Sequence, residues 1–227
     1  MPSPAEIVTR FGGHPAAALG LDLGDEAGVF GWLAAACLLA ASRSEPQALA
    51  AFRALESEGL LRADALAVAE PARVARCVAA AATPRPERPA LLLVRIARAV
   101  CAREGGLAGL LAGADELASA GESLVGLAPG LGPATALRFL RPLRARFPSA
   151  RETPLAASAR AAALHLGWIA EGDDEEGAAD ALAARLLREP DAPDLADVEA
   201  ALERLGRGSC AAARPDRCAL AEACPLR

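Results

Sequence analysis

The chain has 227 residues, a formal net charge of −5, 53% hydrophobic residues and 3% aromatic residues. Its length allows one large domain or two small ones, and its charge excludes a uniformly basic surface, so a nucleic-acid partner would need a local basic patch. Every cationic side chain is an arginine, which excludes lysine Schiff-base chemistry anywhere in the chain.

The first half of the chain has helical periodicity interrupted by proline and glycine. No targeting segment is apparent at the N-terminus, because no basic stretch precedes an apolar one. The uncharged run 27–42 is shorter than the ~20 apolar residues of a membrane span, and it predicts a buried helix that ends near Ala41. Pro46 and Pro71 suit first helical positions and predict helices over 47–58 and 71–78.

The second half is also helical in its periodicity. Residues 83–89 break the pattern before a helix that ends at Gly105 and Gly106, and the apolar side of this helix is predicted to carry Leu91, Leu92, Val94, Ile96 and Val100. Pro142 is expected to kink or break a helix over 133–146. Other helices are predicted over 107–111, 114–120, 122–127, 155–164, 175–188 and 194–205. No segment alternates with period two for long enough to predict a strand, so the predicted fold class is all-α.

Residues 124–136, Leu-Val-Gly-Leu-Ala-Pro-Gly-Leu-Gly-Pro-Ala-Thr-Ala, resemble the helix-hairpin-helix motif Leu-Pro-Gly-Val-Gly-x-x-Thr-Ala. Gly130 and Gly132 bracket Leu131, which is expected to anchor the turn. Both glycines permit unusual dihedral angles and a close approach of a phosphate to the backbone amides. The amides at the start of the next helix would then face the anion. The alternative is an ordinary turn between two helices.

Five arginines follow the hairpin: Arg138, Arg141, Arg144, Arg146 and Arg151. The first three are three residues apart and share roughly one side of a helix, provided that Pro142 does not disrupt it. They could hold phosphates without reading sequence, or they could form a solvated helix face. The predicted DNA contacts are therefore Gly130, Gly132, Ala134, Thr135, Arg138 and Arg141.

Four features in this order resemble the endonuclease III branch of the helix-hairpin-helix DNA glycosylases, over most of the chain. They are the apolar helix 32–42, the hairpin, the segment 154–168 and a C-terminal group of cysteines. The resemblance implies an all-α, two-lobed fold, with a six-helix domain over 25–147 and a second domain built from 1–24 and 148–227. It also implies a monomeric, cytoplasmic base-excision-repair protein that binds damaged double-stranded DNA and no membrane. Members of the family flip a damaged base out of the duplex and cleave its glycosidic bond.

The resemblance places the family's catalytic residues at positions that carry no charge here. The lysine of bifunctional members corresponds to Ala134, the catalytic aspartate to Ala156, and the glutamine that probes the DNA stack to Ser42. A lysine-based lyase is therefore excluded, and an active protein would be a monofunctional glycosylase. Glu152 is the candidate substitute acid, because one helical turn could carry it near Ala156. The acidic run 173–176 is interpreted as a solvated loop and helix start.

Three cysteines lie near the C-terminal end, Cys210, Cys218 and Cys224, with the spacing C-x7-C-x5-C. The family motif is C-x6-C-x2-C-x5-C around a [4Fe–4S] cluster. The resemblance therefore implies a [4Fe–4S] cluster whose fourth ligand is not identified. A zinc site and a loop without metal are the alternatives, and a disulfide is not expected inside a cell.

Two other functions remain open at this point. A non-catalytic DNA-scanning or lesion-binding homologue would keep the scaffold without the chemistry. A helical interaction domain without DNA binding would need neither the hairpin glycines nor the arginines that follow them.

Overall fold

A computed structural model of the chain describes residues 2–81, 83–174, 177–210, 218 and 220. These residues form helices, turns and loops, with no strand among them, which confirms the all-α fold class. They divide into two compact units. The terminal unit comprises Met1–Ala18 and Glu152–Arg227, and the central unit comprises Leu19–Arg151. Within the described ranges, every helix is too short or too polar to cross a bilayer.

In the terminal unit the chain first forms α1 (Pro4–Phe11) and α2 (Pro15–Ala18). The central unit then contains α3 (Glu26–Ala41), α4 (Glu45–Ser57), α5 (Ala63–Val68), α6 (Pro71–Ala80), α7 (Glu87–Cys101), α8 (Gly106–Ala112), α9 (Leu117–Val125) and α10 (Pro133–Leu140), followed by 3-10 turns over Arg141–Leu143 and Pro148–Ala150. The chain returns to the terminal unit with α11 (Ala157–His165), α12 (Gly177–Leu186), α13 (Leu195–Leu205) and a π-helical turn over Gly206–Cys210.

The core of the central unit is built around α3. Every residue from Gly28 to Leu38 is buried, because α4, α7, α8 and α10 all pack against this helix. Asp25 caps its N-terminus, and the Asp25 Oδ1 atom accepts the Gly28 N–H at 2.5 Å. The Trp32 Nε1–H donates to the Phe139 carbonyl at 3.0 Å and ties α3 to α10. The prediction of a buried helix that ends near Ala41 is confirmed over 28–38, whereas residues 39–41 at the end of α3 are only partly buried or exposed.

The core of the terminal unit is built from helices that lie far apart in the chain. α13 packs against both α1 and α11, and Ile7 is fully buried there. Arg204 Nη1 donates to the carbonyls of Phe11, Gly12 and Gly13, at 3.1, 2.7 and 2.9 Å. One guanidinium therefore satisfies the carbonyls at the end of α1, which a helix cannot pair internally.

Gly206 lies where the π-helical turn meets α11. A Cβ atom at this position would overlap the Ser158 carbonyl oxygen. The two backbones can approach this closely only because Gly206 has no side chain.

Many helix bounds differ from the predicted ones by a few residues, and two of the differences have a clear local cause. Residues 117–125 form one helix with Gly121 inside it, because a single glycine costs only about 1 kcal/mol in a helix. α7 begins at Glu87, within the predicted break, since Pro89 falls in the first turn, where its missing N–H would have no partner. α10 ends at Leu140 ahead of a 3-10 turn that contains Pro142, which confirms the predicted break.

Candidate nucleic-acid interface

The turn between α9 and α10 holds the two hairpin glycines. Leu131 is 2% exposed and anchors the turn from the inside, as expected. Gly130 has a φ of +106°, a left-handed value that L side chains rarely adopt. Gly132 has φ −89° and ψ 163°, which any residue can adopt. The expectation of unusual dihedral angles is therefore confirmed at Gly130 and wrong at Gly132.

Three backbone N–H groups of the hairpin, those of Gly130, Gly132 and Ala134, have no acceptor among the described residues. The N–H groups of Thr135 and Ala136 instead donate to the Gly132 carbonyl, at 3.0 and 3.1 Å. Of the N–H groups predicted to face an anion at the start of α10, the one of Ala134 is therefore available, whereas the one of Thr135 is already paired within the turn. Unpaired N–H groups at a helix N-terminus carry positive partial charge, so the turn can bind an anion by donating hydrogen bonds to it.

A cavity of about 420 Å³ lies beside the hairpin in the central unit. The C-terminal part of α3 forms one wall with Ala40 and Ala41. Pro129 and Gly130 of the turn, together with Thr135 of α10, form a second wall. The left-handed glycine of the hairpin therefore also lines this open cavity.

One face of α7 forms the third wall. Arg88, Leu91, Leu92 and Arg95 line the cavity with the spacing i, i+3, i+4, i+7, which places them on one side of the helix. Leu91 is 37% exposed and Leu92 is half-buried, so their predicted place on the buried side of the helix is wrong. Leu93, which is 1% exposed, takes the core position instead. Arg88 and Arg95 are exposed, and neither forms an ion pair or side-chain hydrogen bond with a described residue.

The arginines after the hairpin do not form one exposed helical face. Arg138 lies on α10, whereas Arg141 belongs to the 3-10 turn that replaces the helix at Pro142. Arg138, Arg141 and Arg144 are half-buried, and each interacts with other groups of the chain. The Arg144 Nη1–H, for example, donates to the Arg141 carbonyl at 3.1 Å. Their contact with DNA stays a prediction.

Arg146 has a structural contact in the central unit. Its Nη1 atom donates to the carbonyls of Leu23 and Asp25, immediately before α3, and its guanidinium lies 5.0 Å from the centre of the Phe147 ring. This arginine therefore fixes the chain ahead of α3. Arg151 is exposed.

The terminal unit contains the position that the resemblance assigns to the family's aspartate. Ala156 is 5% exposed and is the N-cap residue of α11. Its backbone N–H donates to Glu199 Oε1 at 2.9 Å, and Glu199 is itself 3% exposed. A buried carboxylate thus lies against the backbone of this position but comes from α13. Glu199 is not among the predicted site residues, although it stands out in the sequence as one acid inside the apolar segment 198–202.

The other positions that the resemblance singles out lie at or near the surface. Ala134 is exposed, and Ser42 is half-buried at the C-terminus of α3. Glu152 is exposed, and residues 152–156 are not helical, so the helical turn expected to carry Glu152 toward Ala156 is absent. Glu152 as a substitute acid stays a prediction. In the acidic run, Asp174 accepts the Gly177 N–H at 2.6 Å at the start of α12, and residues 175 and 176 lie outside the described residues.

Two of the three predicted metal ligands are described. Cys210 and Cys218 are half-buried, and both pack against the core of the terminal unit. Cys224 lies outside the described residues. Within the described ranges, no group of three His, Cys, Asp or Glu side chains could hold a metal ion. A [4Fe–4S] cluster takes four ligands, and the described residues supply two of the predicted thiols on the same core. The cluster therefore stays a prediction.

No family model matches the chain, and no curated protein matches its sequence. The resemblance to the endonuclease III branch accordingly stays a prediction.

Proposed function

We propose that the chain binds the phosphate backbone of double-stranded DNA through its hairpin, as a base-excision-repair protein similar to the helix-hairpin-helix DNA glycosylases. One observation carries the proposal: a turn anchored by buried Leu131 presents the N–H groups of Gly130, Gly132 and Ala134 without an acceptor among the described residues. A phosphodiester oxygen suits such donors. Backbone contacts of this kind position the protein on the duplex without reading its sequence.

Gly132 supports the proposal through the space beside it. A Cβ atom at this position would meet no atom of the protein within 4 Å, and the backbone angles there are ordinary. Packing within the chain therefore does not require a glycine at this point. The missing side chain leaves room for a phosphate to reach the neighbouring N–H groups.

A second candidate function, recognition of damaged DNA without base release, is favoured by the surroundings of Ala156. Glycosidic cleavage passes through a cationic sugar, which needs a nearby anion. Ala134 and Ala156 supply none, and the Glu199 carboxylate is buried as an acceptor for the Ala156 N–H. Exposed Glu152 is the first candidate acid if bases are released.

The hairpin proposal is tested with a duplex whose ends are closed by loops, so that only internal phosphates are present. We expect Gly132→Val to weaken binding about 10-fold or more in fluorescence anisotropy, because the side chain covers donors to a charged phosphate. The control is Gly121→Ala on α9, where a Cβ atom also meets nothing within 4 Å. Equal affinities of the wild type and a folded Gly132→Val variant would contradict the proposal.

The two candidate functions are separated by single-turnover assays on duplexes with a damaged base. Base release by the wild type that is lost in Glu152→Gln would support a glycosylase. Duplex binding without base release would support recognition alone.

A further inference from the structure

The cavity beside the hairpin holds positive charge that the proposed backbone contact does not use. Arg88 and Arg95 both line it, both are exposed, and neither is paired with a described residue. None of the residues that line the cavity is acidic. The only charged side chains in the lining are therefore basic, in a chain whose net charge is −5. Guanidinium groups match phosphate oxygens in geometry as well as in charge.

Most of the remaining lining is apolar. Ala40 and Ala41 of α3 contribute apolar surface, and so do Leu92 and Pro129. Thr135 supplies a hydroxyl group. A volume of about 420 Å³ falls in the range of small-molecule sites, which typically combine apolar walls with a few polar groups. Such walls can bury a flat ring while the arginines hold a charged group attached to it.

We propose that this cavity binds a nucleoside phosphate, either a free nucleoside monophosphate or the phosphorylated terminal nucleotide of a DNA strand. A terminal phosphate carries a charge of about −1.5 to −2 near neutral pH, which two arginines can balance. An internal phosphodiester carries a single negative charge, and the hairpin N–H groups are enough to hold it without the two arginines. The strand-end source rests on the proposed DNA-binding function, because the hairpin would hold the adjoining duplex, whereas binding of a free nucleotide does not.

Calorimetric titration of the full chain with dAMP, deoxyadenosine and inorganic phosphate tests the shared chemistry. We expect dAMP to bind at least about 10-fold more tightly than either fragment, since only dAMP uses both the arginines and the apolar walls. Arg88→Gln and Arg95→Gln should each weaken dAMP binding about 10-fold, the effect of losing a charge-assisted hydrogen bond.

Two further variants make the titration specific for the cavity. Ala40→Phe fills the exposed α3 wall and should block dAMP without removing charge. Arg103→Gln is the matched control, because this arginine is exposed, follows the end of α7 and does not line the cavity. Binding of dAMP that is unaffected by both Arg88→Gln and Arg95→Gln would overturn the inference.

A nicked duplex with a terminal phosphate distinguishes the two sources when compared with the closed duplex. Tighter binding to the nicked duplex, lost in Arg88→Gln, assigns the cavity to strand ends. Binding of dAMP with no preference for the nick assigns it to free nucleotides. If dAMP does not bind and the nicked duplex is not preferred, the inference is overturned. Wild-type binding to the closed duplex would then still support the hairpin function. If dAMP binds and the closed duplex does not, the hairpin proposal fails and the cavity inference stands.

Discussion

Glu199 on α13 is 3% exposed, and its carboxylate accepts the Ala156 N–H at 2.9 Å. The variant Glu199→Ala would leave that N–H without its acceptor in a buried site. We expect the free energy of unfolding in urea to fall by about 2–4 kcal/mol, from the unpaired donor and the lost packing. Glu152→Ala, at an exposed position, should change it by no more than about 0.5 kcal/mol. Similar losses in the two variants would contradict this role of Glu199.

The same contact determines what an aspartate at position 156 would do. In Ala156→Asp, two carboxylates would lie close together in a site where both residues are almost fully buried. We expect this variant to be less stable than the wild type, and Glu199→Gln in the same chain to recover about 1 kcal/mol or more. A double-mutant cycle measures the coupling, and strictly additive effects would show that the two side chains do not meet.

Cys37 is a buried thiol on α3, and burial raises its pKa from 9.0 to about 12. The unfolded chain therefore releases this proton near pH 9, well before the folded chain does. Consequently the free energy of unfolding should fall as the pH rises from about 9 toward 12. The chain has no tyrosine and no lysine, so thiols are the only side chains that change charge in this window.

Urea unfolding at several alkaline pH values checks this expectation. Cys37→Ala should flatten the decline, whereas Cys101→Ala, at an exposed position, should not. Burial also raises the pKa of Cys77, which adds to the decline in the same direction. An unchanged slope in Cys37→Ala would show that this thiol does not contribute.

Among the elements, the contact between α11 and the π-helical turn offers a matched pair of glycines. A Cβ atom at Gly206 would overlap the Ser158 carbonyl oxygen, whereas a Cβ atom at Gly208 would meet nothing within 4 Å. We expect Gly206→Ala to lower the free energy of unfolding by about 1–3 kcal/mol, because the backbones must separate. Gly208→Ala should have an effect below about 0.5 kcal/mol. Equal unfolding midpoints would contradict the close approach.

The helices that could be predicted have a local signal at their ends. Pro46, Pro71 and Pro142 each mark a helix start or stop that agrees with the structure. α5 could not be predicted because it has six residues and no side-chain cap, and it packs instead against α7. α1 could have been, since Ser3 and Glu6 form a capping box that is readable as Ser-x-x-Glu.

The candidate site likewise has one part that could be predicted from the sequence and one part that could not. The hairpin is local, so two glycines around one apolar residue are enough to predict the turn. The cavity is not local, because 37–41, 88–95 and 129–135 meet only when three helices pack. On the sequence alone, Arg88 and Arg95 look like ordinary solvated helix positions, and Leu91 and Leu92 look like core residues.

For the whole molecule, the excess of acidic over basic residues should make DNA binding sensitive to salt. The formal charge of −5 repels DNA at long range, so affinity depends on the few arginines and N–H groups near the phosphates. If two or three phosphates are neutralised, affinity for the closed duplex should fall about 10- to 40-fold between 50 and 200 mM salt. Anisotropy titrations over this range measure the slope, and a flat profile would contradict an ionic interface.

The terminal unit joins segments that a ribosome makes far apart in time. α1 packs against α13, and Arg204 holds the carbonyls at the end of α1, yet the whole central unit lies between them in the chain. At ordinary rates of synthesis, roughly 10–40 s separate the appearance of Phe11 from that of Arg204. Residues 19–151 can emerge and fold as one continuous stretch during that interval, while Ile7 has no core to enter. α1 therefore emerges well before α13 and is buried only once α13 has been made, so its apolar side stays accessible to chaperones and proteases throughout that interval.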